Sequence, residues 1–222
     1  MRYSGFVDDA AATIAALNQW IVGEVLSLEK LPDFIDGLAR RFCEVGVPLD
    51  RIATGINTRH PEVLIIGLRW SIKTAAFMRT LSYDELQRDM DERSPFYDLW
   101  HHGLSEVRCR LCDGTPTPYP LIERMRGEGV TDYLALRLLD GRISYATCAP
   151  AGFSNANLEV LRRTADSLAL QLDRLSMLHA LSSLLDVYLG HDAARRVLDG
   201  QIRRRSGVEQ RCALWFCDMR EF

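Results

Sequence analysis

The stretch Asp132-Tyr-Leu-Ala-Leu-Arg-Leu-Leu-Asp140-Gly141-Arg-Ile-Ser-Tyr-Ala-Thr-Cys148 sets the fold class. Residues 132–139 and 142–148 read as two strands, and Asp140-Gly141 between them is a hairpin signal. Upstream, Leu104–Leu111 reads as a strand, Asp113-Gly114 as a turn, and Leu121–Arg126 as a short helix broken by Gly127 and Gly129. Further upstream, residues 51–58 and 62–70 read as two strands joined near His60-Pro61. Residues 74–103 read as an irregular insert holding a short helix over Tyr83–Asp91 and the aromatic cluster Phe96, Tyr97 and Trp100. Two helices open the chain. The first, over 10–29, carries Ile14, Leu17, Ile21, Val25 and Leu28 at helical spacing. The second starts at Pro32, carries Phe34, Ile35, Leu38, Phe42 and Val45, and ends at Gly46 and Pro48. Downstream, Pro150-Ala-Gly-Phe-Ser154 caps a long helix that begins near Asn155. The sum is an α+β fold, an antiparallel sheet flanked by helices, with a long C-terminal signalling helix.

This element order resembles a GAF domain over roughly residues 31–175, and Pro150-x-Gly-Phe-Ser with Leu158 and Leu161 is similar to that family's closing segment. The resemblance implies a small-molecule-binding or dimerising role and names no ligand.

Leu158, Leu161, Ala165, Leu168, Leu172 and Leu175 follow alternating three- and four-residue steps, the a/d seam of a coiled coil. They are the expected dimer seam. A helix packed on its own domain is the alternative. After Leu175 come Leu178, Leu181, Leu185 and Tyr188, with two successive steps of three, a stammer that overwinds a supercoil.

The segment Leu184-Leu-Asp-Val-Tyr-Leu-Gly190 reads as a helix end, and His191–Leu198 as a short helix stopped by Gly200. It resembles the transducer that couples regulatory domains to class III nucleotidyl cyclase domains. Cys212-Ala-Leu-Trp-Phe-Cys-Asp218-Met-Arg-Glu-Phe222 resembles the opening strand of those catalytic domains, usually Phe-x-Asp-Ile-Arg-Gly-Phe-Thr. Asp218 then inherits a metal-binding role, for magnesium or manganese in an intact parent. Glu221 replaces the family's glycine. The resemblance implies an adenylate cyclase, with GTP as the lesser alternative to ATP, in a longer parent. This chain itself is expected to be inactive and to hold no cofactor, because the remaining catalytic residues would follow Phe222. An apolar strand ending in a solvated aspartate is the plainer alternative.

The corresponding division is an N-terminal helix (1–30), a GAF-like sensor (31–155), a dimerising signalling helix (156–189), a transducer element (190–207) and the first catalytic strand (208–222). A stand-alone dimeric small-molecule-binding module is the competing reading.

The 222 residues are 47% hydrophobic and 26% charged, with formal net charge -3. That length buries a sizeable core, and the balanced charge favours no nucleic-acid partner. No apolar run reaches the roughly 18–20 residues that span a bilayer, so no membrane partner is expected. Met1-Arg-Tyr-Ser opens no signal-peptide apolar core. The six scattered cysteines fit reduced thiols in a cytoplasmic chain.

Cys109 and Cys112 form a C-x-x-C, with His101 and His102 upstream. Strand alternation sends the two thiols to opposite faces, so metal binding is disfavoured. Cys43, Cys109 and Cys148 read as buried structural thiols. A cysteine-dependent methionine sulfoxide reductase, known among GAF-like enzymes, is a minor alternative. The insert and its surroundings supply the expected ligand-binding residues: Phe77, Tyr97, Trp100, His101, Arg110 and Tyr119. An empty, collapsed core at that place is the competing reading.

Overall fold

The computed structural model describes residues 10–23, 31–58, 65–81 and 94–200, with Ala213 and Trp215 as isolated positions. The chain divides into two compact units, Met1–Ala180 and Leu181–Phe222.

In the first unit, helices α1 (Ala10–Gly23) and α2 (Leu31–Glu44) precede strands β1 (Arg51–Asn57), β2 (Ile65–Ser71) and β3 (Thr74–Leu81). Helix α3 (Pro95–His101), strand β4 (Glu106–Arg110) and helix α4 (Pro120–Gly127) follow. Strands β5 (Asp132–Leu138) and β6 (Gly141–Thr147) and helices α5 (Asn155–Arg163) and α6 (Ala165–Leu189) complete it, α6 running on to Leu189. The six strands form one sheet in the order β3-β2-β1-β6-β5-β4, and every pairing is antiparallel.

Strand alternation divides the sheet into two faces. On one, Ile52, Ile56, Leu68, Leu134, Leu136, Ile143 and Tyr145 join the apolar sides of α1, α2, α5 and α6 in the larger core. Phe42 meets Tyr145 edge-on at 5.8 Å, and Trp20 stacks on Phe34 at 5.8 Å. On the other face, Val107, Cys109, Tyr133, Ala135 and Ala146 pack with Leu99 of α3 and Ile122 of α4 in a second core.

The helical periods of α1 and α2 hold: Ile14, Leu17 and Ile21, then Phe34, Ile35, Leu38 and Phe42, are all buried. Val25 and Leu28 lie outside the described residues, as does the helix expected over Tyr83–Asp91.

Three features depart from expectation. Thr74–Leu81 is not part of an irregular insert but the edge strand β3, joined to β2 through Ile72-Lys73. The 5–6 hairpin turns one residue early, so that Leu139-Asp140 forms the loop and Leu138 pairs with Gly141. The exit helix is not continuous, because Thr164 separates α5 from α6. The Thr164 hydroxyl donates to the carbonyls of Val160 (2.9 Å) and Leu161 (3.2 Å), a back-bond that competes with the helical ladder.

The expected dimer seam is largely occupied by the chain's own core. Leu158, Leu161, Leu168, Leu172 and Leu175 are buried in the larger cluster, and Ala165 packs against it. A leucine stripe facing a sheet has the same spacing as one facing a partner helix, and here the sheet takes it.

In the second unit, α6 ends at Gly190 (φ 76°) and helix α7 (His191–Leu198) follows, with Gly200 (φ 75°) just beyond. Both glycines take up left-handed backbone that other residues disfavour. This break and stop fall where the sequence places them. Asp218 and most of 208–222 lie outside the described residues; Trp215 is 87% exposed. No helix among the described residues is long and apolar enough to cross a membrane.

Candidate functional site

The second face of the sheet is sparsely filled where β1, β6 and β5 run together. Ala53, Tyr133, Ser144 and Ala146 form the floor of a hollow of about 480 Å³, with Arg51 and Arg69 at its side. Phe96 of α3 and Leu121, Arg124, Met125 and Glu128, on or just after α4, close over it. Ala53, Ser144 and Ala146 leave space beside Tyr133, and with the aromatic, partly cationic roof they suit an organic ligand with a few polar groups.

Each wall has a local cause. Ser94 caps α3: its hydroxyl accepts the Tyr97 N–H at 3.1 Å, and Pro95 occupies the first turn. The Tyr119 hydroxyl donates to Asp98 Oδ2 at 2.5 Å, tying the start of α4 to α3. Burial, and then this carboxylate, raise the Tyr119 pKa. Pro120 opens α4, and the Glu128 carboxylate just beyond α4 meets Arg51 of β1 at 2.7 Å. On the floor, the Ser144 hydroxyl donates to the Ala53 carbonyl at 3.3 Å.

Arg142 lies beside the floor, in the middle of the sheet. Its guanidinium carbon is 4.8 Å from the Phe96 ring centroid. On the β1 side it fills the space of a missing side chain, since a Cβ on Gly55 would stand 3.1 Å from that carbon. Burial pushes the Arg142 pKa down.

The structure does not bring the six expected ligand residues together, and none of them lines this hollow. Phe77 lies on β3, 51% exposed, and Trp100 on α3 is 53% exposed. Tyr97 and His101 stack on each other at 4.2 Å. Arg110 and Tyr119 share a shallower hollow of about 560 Å³ along β4 and the 113–119 loop, and Tyr119 itself belongs to the second core. The floor residues Ala53, Tyr133, Ser144 and Ala146 are outside the expected set. The sequence carries a signal for them: Ser144 and Ala146 alternate with the larger apolar Ile143 and Tyr145, and glycines at 55 and 67 interrupt two strands.

Cys109 is buried on β4, and Cys112 is exposed, not by strand alternation but because β4 ends at Arg110 and Cys112 lies in the turn beyond it. Burial, and then the Asp132 charge, push the Cys109 thiol up to about 11, which leaves it a poor nucleophile at neutral pH. Cys43 and Cys148 are exposed, correcting their reading as buried thiols. Cys43 takes the outer side of α2, and Cys148 follows the last residue of β6. No group of three or more potential metal ligands occurs among the described residues.

No family model matches the sequence, and no curated protein matches it. Solved structures do. The phycocyanobilin-bound GAF domain from a cyanobacterial phytochrome superposes with a TM-score of 0.52 at 14% identity, covering 75% of this chain and 97% of that one. The GAF domain of a phosphoenolpyruvate-protein phosphotransferase from Coxiella burnetii gives 0.50 at 13% identity, covering 78% of this chain and 100% of that one. The phycoerythrobilin-bound GAF domain of a cyanobacterial phytochrome gives 0.50 at 14%, with coverages of 77% and 98%. The fold is GAF-like. At these identities the likeness carries architecture only.

Proposed function

We infer that the chain is a small-molecule-binding sensory module, cytoplasmic, whose ligand occupies the hollow over β1, β6 and β5. One observation carries this reading: the GAF-like sheet keeps a concave site of about 480 Å³ with Ala53, Ser144 and Ala146 beside Tyr133 on its floor and Phe96 in its roof. Two of the similar solved domains are described as bilin-bound, so the fold accommodates organic ligands elsewhere. Residues 31–155 form the sensor in this reading. Native mass spectrometry of the purified chain is expected to show a bound small molecule, released on denaturation. Ala53→Trp fills the hollow and is expected to abolish that mass difference while retaining the melting transition. An unliganded mass under gentle conditions, with no thermal shift from a broad metabolite set, counts against the reading.

A finer reading makes the module the regulatory part of a class III adenylate cyclase. It rests on the α6–Gly190–α7 break at the resembling transducer segment and on the Phe216-x-Asp218 sequence. In that reading the protein is a homodimer, residues 190–207 transmit the signal, and Asp218 holds magnesium or manganese in a longer product. Since the expected seam is buried, the pairing surface moves along α6. Leu170, Met177 and Leu181 are exposed, and with Leu184 and Tyr188 they keep steps of seven, four, three and four. A Met177→Glu/Leu181→Glu variant of the longer product is expected to lose both dimer mass and cyclic-nucleotide formation. Activity that persists in a monomer rejects this arrangement.

A further inference from the structure

Strand β4 ends the sheet on one side, and its outer edge meets no other strand. The ladder to β5 fixes which groups point outward. The Arg137 N–H donates to the Ser105 carbonyl at 2.9 Å, and the Leu111 N–H to the Thr131 carbonyl at 2.8 Å. Between them the register runs through Val107↔Ala135 and Cys109↔Tyr133. Odd-numbered residues therefore bond β5, while the N–H and C=O groups of Glu106, Arg108 and Arg110 face away from it. No backbone partner for these groups occurs among the described residues. The opposite edge is blunted: on β3, the Ala76 N–H is taken by Asp36 of α2 at 2.9 Å. An edge with bare donors and acceptors is a template for another strand.

The side chains of β4 decide which strand fits. Two copies of Glu106-Val-Arg-Cys-Arg110 can be set antiparallel about a two-fold axis through Arg108. Glu106 then stands opposite the partner's Arg110, and Arg110 opposite the partner's Glu106. The outward-facing residues fall on the hydrogen-bonded positions, so each facing pair exchanges both of its N–H···O=C bonds. The central Arg108 pair is like-charged, but each guanidinium is already answered within its own chain, where Asp132 Oδ2 accepts Arg108 Nη2 at 2.7 Å. Glu106 accepts Arg162 at 2.7 and 2.8 Å, and its carboxylate keeps lone pairs for a second guanidinium. Arg110 makes an exposed pair with Asp113 at 3.3 Å, worth little and easily exchanged. On the other face, Val107 stands opposite the partner's Cys109, beside the hollow of about 560 Å³.

We propose that β4 is a docking edge for a second copy of this chain, the two joining β4 to β4, antiparallel, in one continuous sheet. The charge order of the strand selects this occupant, because it is complementary to itself when reversed. A parallel copy in the same register sets Glu106 on Glu106 and Arg110 on Arg110, which is repulsive. This surface is distinct from the ligand hollow over β1, β6 and β5 and from the exposed side chains of α6, and it depends on neither reading.

A cross-link reads the pairing directly. In an antiparallel pair, facing residues outside the hydrogen-bonded positions stand about 4.5 Å apart at Cα, within disulfide reach. Val107→Cys is therefore expected to give a covalent dimer of the full chain under oxidised glutathione, with peptide mapping placing the bond between positions 107 and 109 of different copies. A dimer held through α6 alone gives dimer mass without this bond. In the same background, Arg110→Glu puts carboxylates opposite each other and Glu106→Arg puts guanidinium groups opposite each other. Each is expected to lower the cross-link yield about tenfold. An equimolar mixture of the two is expected to restore it, since every such pair is again opposite in charge. If Glu106→Arg, which also loses Arg162, fails to melt cooperatively, Arg110→Glu alone decides. No 107–109 bond at chain concentrations up to about 1 mM gives the edge to another partner and overturns the proposal. A yield that ignores Arg110→Glu overturns the register and the proposal with it. So does a mixture that stays at the single-variant level while both melting transitions are intact.

Discussion

Asp132→Ala is expected to cost about 3 kcal/mol, because it leaves the half-buried Arg108 guanidinium without its partner and the buried Phe153 N–H without its acceptor. For a chain of this size that corresponds to a fall of about 10 °C in melting temperature. Asp132 is fully buried at the head of β5. Its carboxylate accepts Arg108 Nη2 at 2.7 Å and Nε at 3.3 Å, and the Phe153 N–H at 3.0 Å. Arg108 also donates to the Phe153 carbonyl at 3.2 Å. One carboxylate thus ties edge strand β4 and strand β5 to the turn that launches α5. Gly152 in that turn has φ 69°, and a Cβ on it would stand 2.7 Å from Asp132 Oδ2. The double variant Asp132→Leu/Arg108→Leu is expected to be less damaging than the single one, since it leaves no orphaned charge. Calorimetry checks both. A single variant that melts within about 2 °C of the parent contradicts the assigned role.

Gly141→Val is expected to destabilise the chain by about 3 kcal/mol, at the upper end of overpacking costs. Gly141 is not among the glycines with positive φ. It is needed because a Cβ there would stand 2.5 Å from the Gly55 carbonyl oxygen and 3.2 Å from the Ile56 Cα. Both neighbours are backbone, so neither yields without moving β1 away from β6. Gly141→Ala errs in the same direction. By contrast, Leu139 is 69% exposed in the loop itself, and Leu139→Asn is expected to be nearly neutral. Urea midpoints for the three variants give the comparison. A Gly141→Val midpoint equal to the parent's means that β1 does not approach as closely as described.

The Asp140-Gly141 pair shows what pattern reading catches and where it goes astray. The hairpin is there, but the glycine serves close strand packing and not the turn. Strand β3 escaped notice because Thr74-Ala-Ala lacks the apolar alternation of a half-buried strand. It lies at the sheet edge, where Phe77 is exposed and the Ala76 N–H is satisfied by Asp36 of α2 at 2.9 Å. Helix α3 escaped notice as well, although Ser94-Pro95 is a start signal, because seven residues are too few to show a period. The aromatic residues around it drew attention to themselves as ligand contacts, yet only Phe96 reaches the hollow.

Local chemistry alone determined the antiparallel α+β architecture, the two opening helices, the 5–6 hairpin and the glycine-stopped helix at 191–198. Each of these is written in a period, a cap or a breaker within about twenty residues. Only the tertiary structure decided which way the leucines of α5 and α6 face, and that Phe96, Ser144 and Tyr133 meet around one hollow while Arg142 lies against the same Phe96 ring. A repeat distance says which side chains share a face. What that face is pressed against depends on layers far away in the chain, and so does whether a buried charge finds a partner.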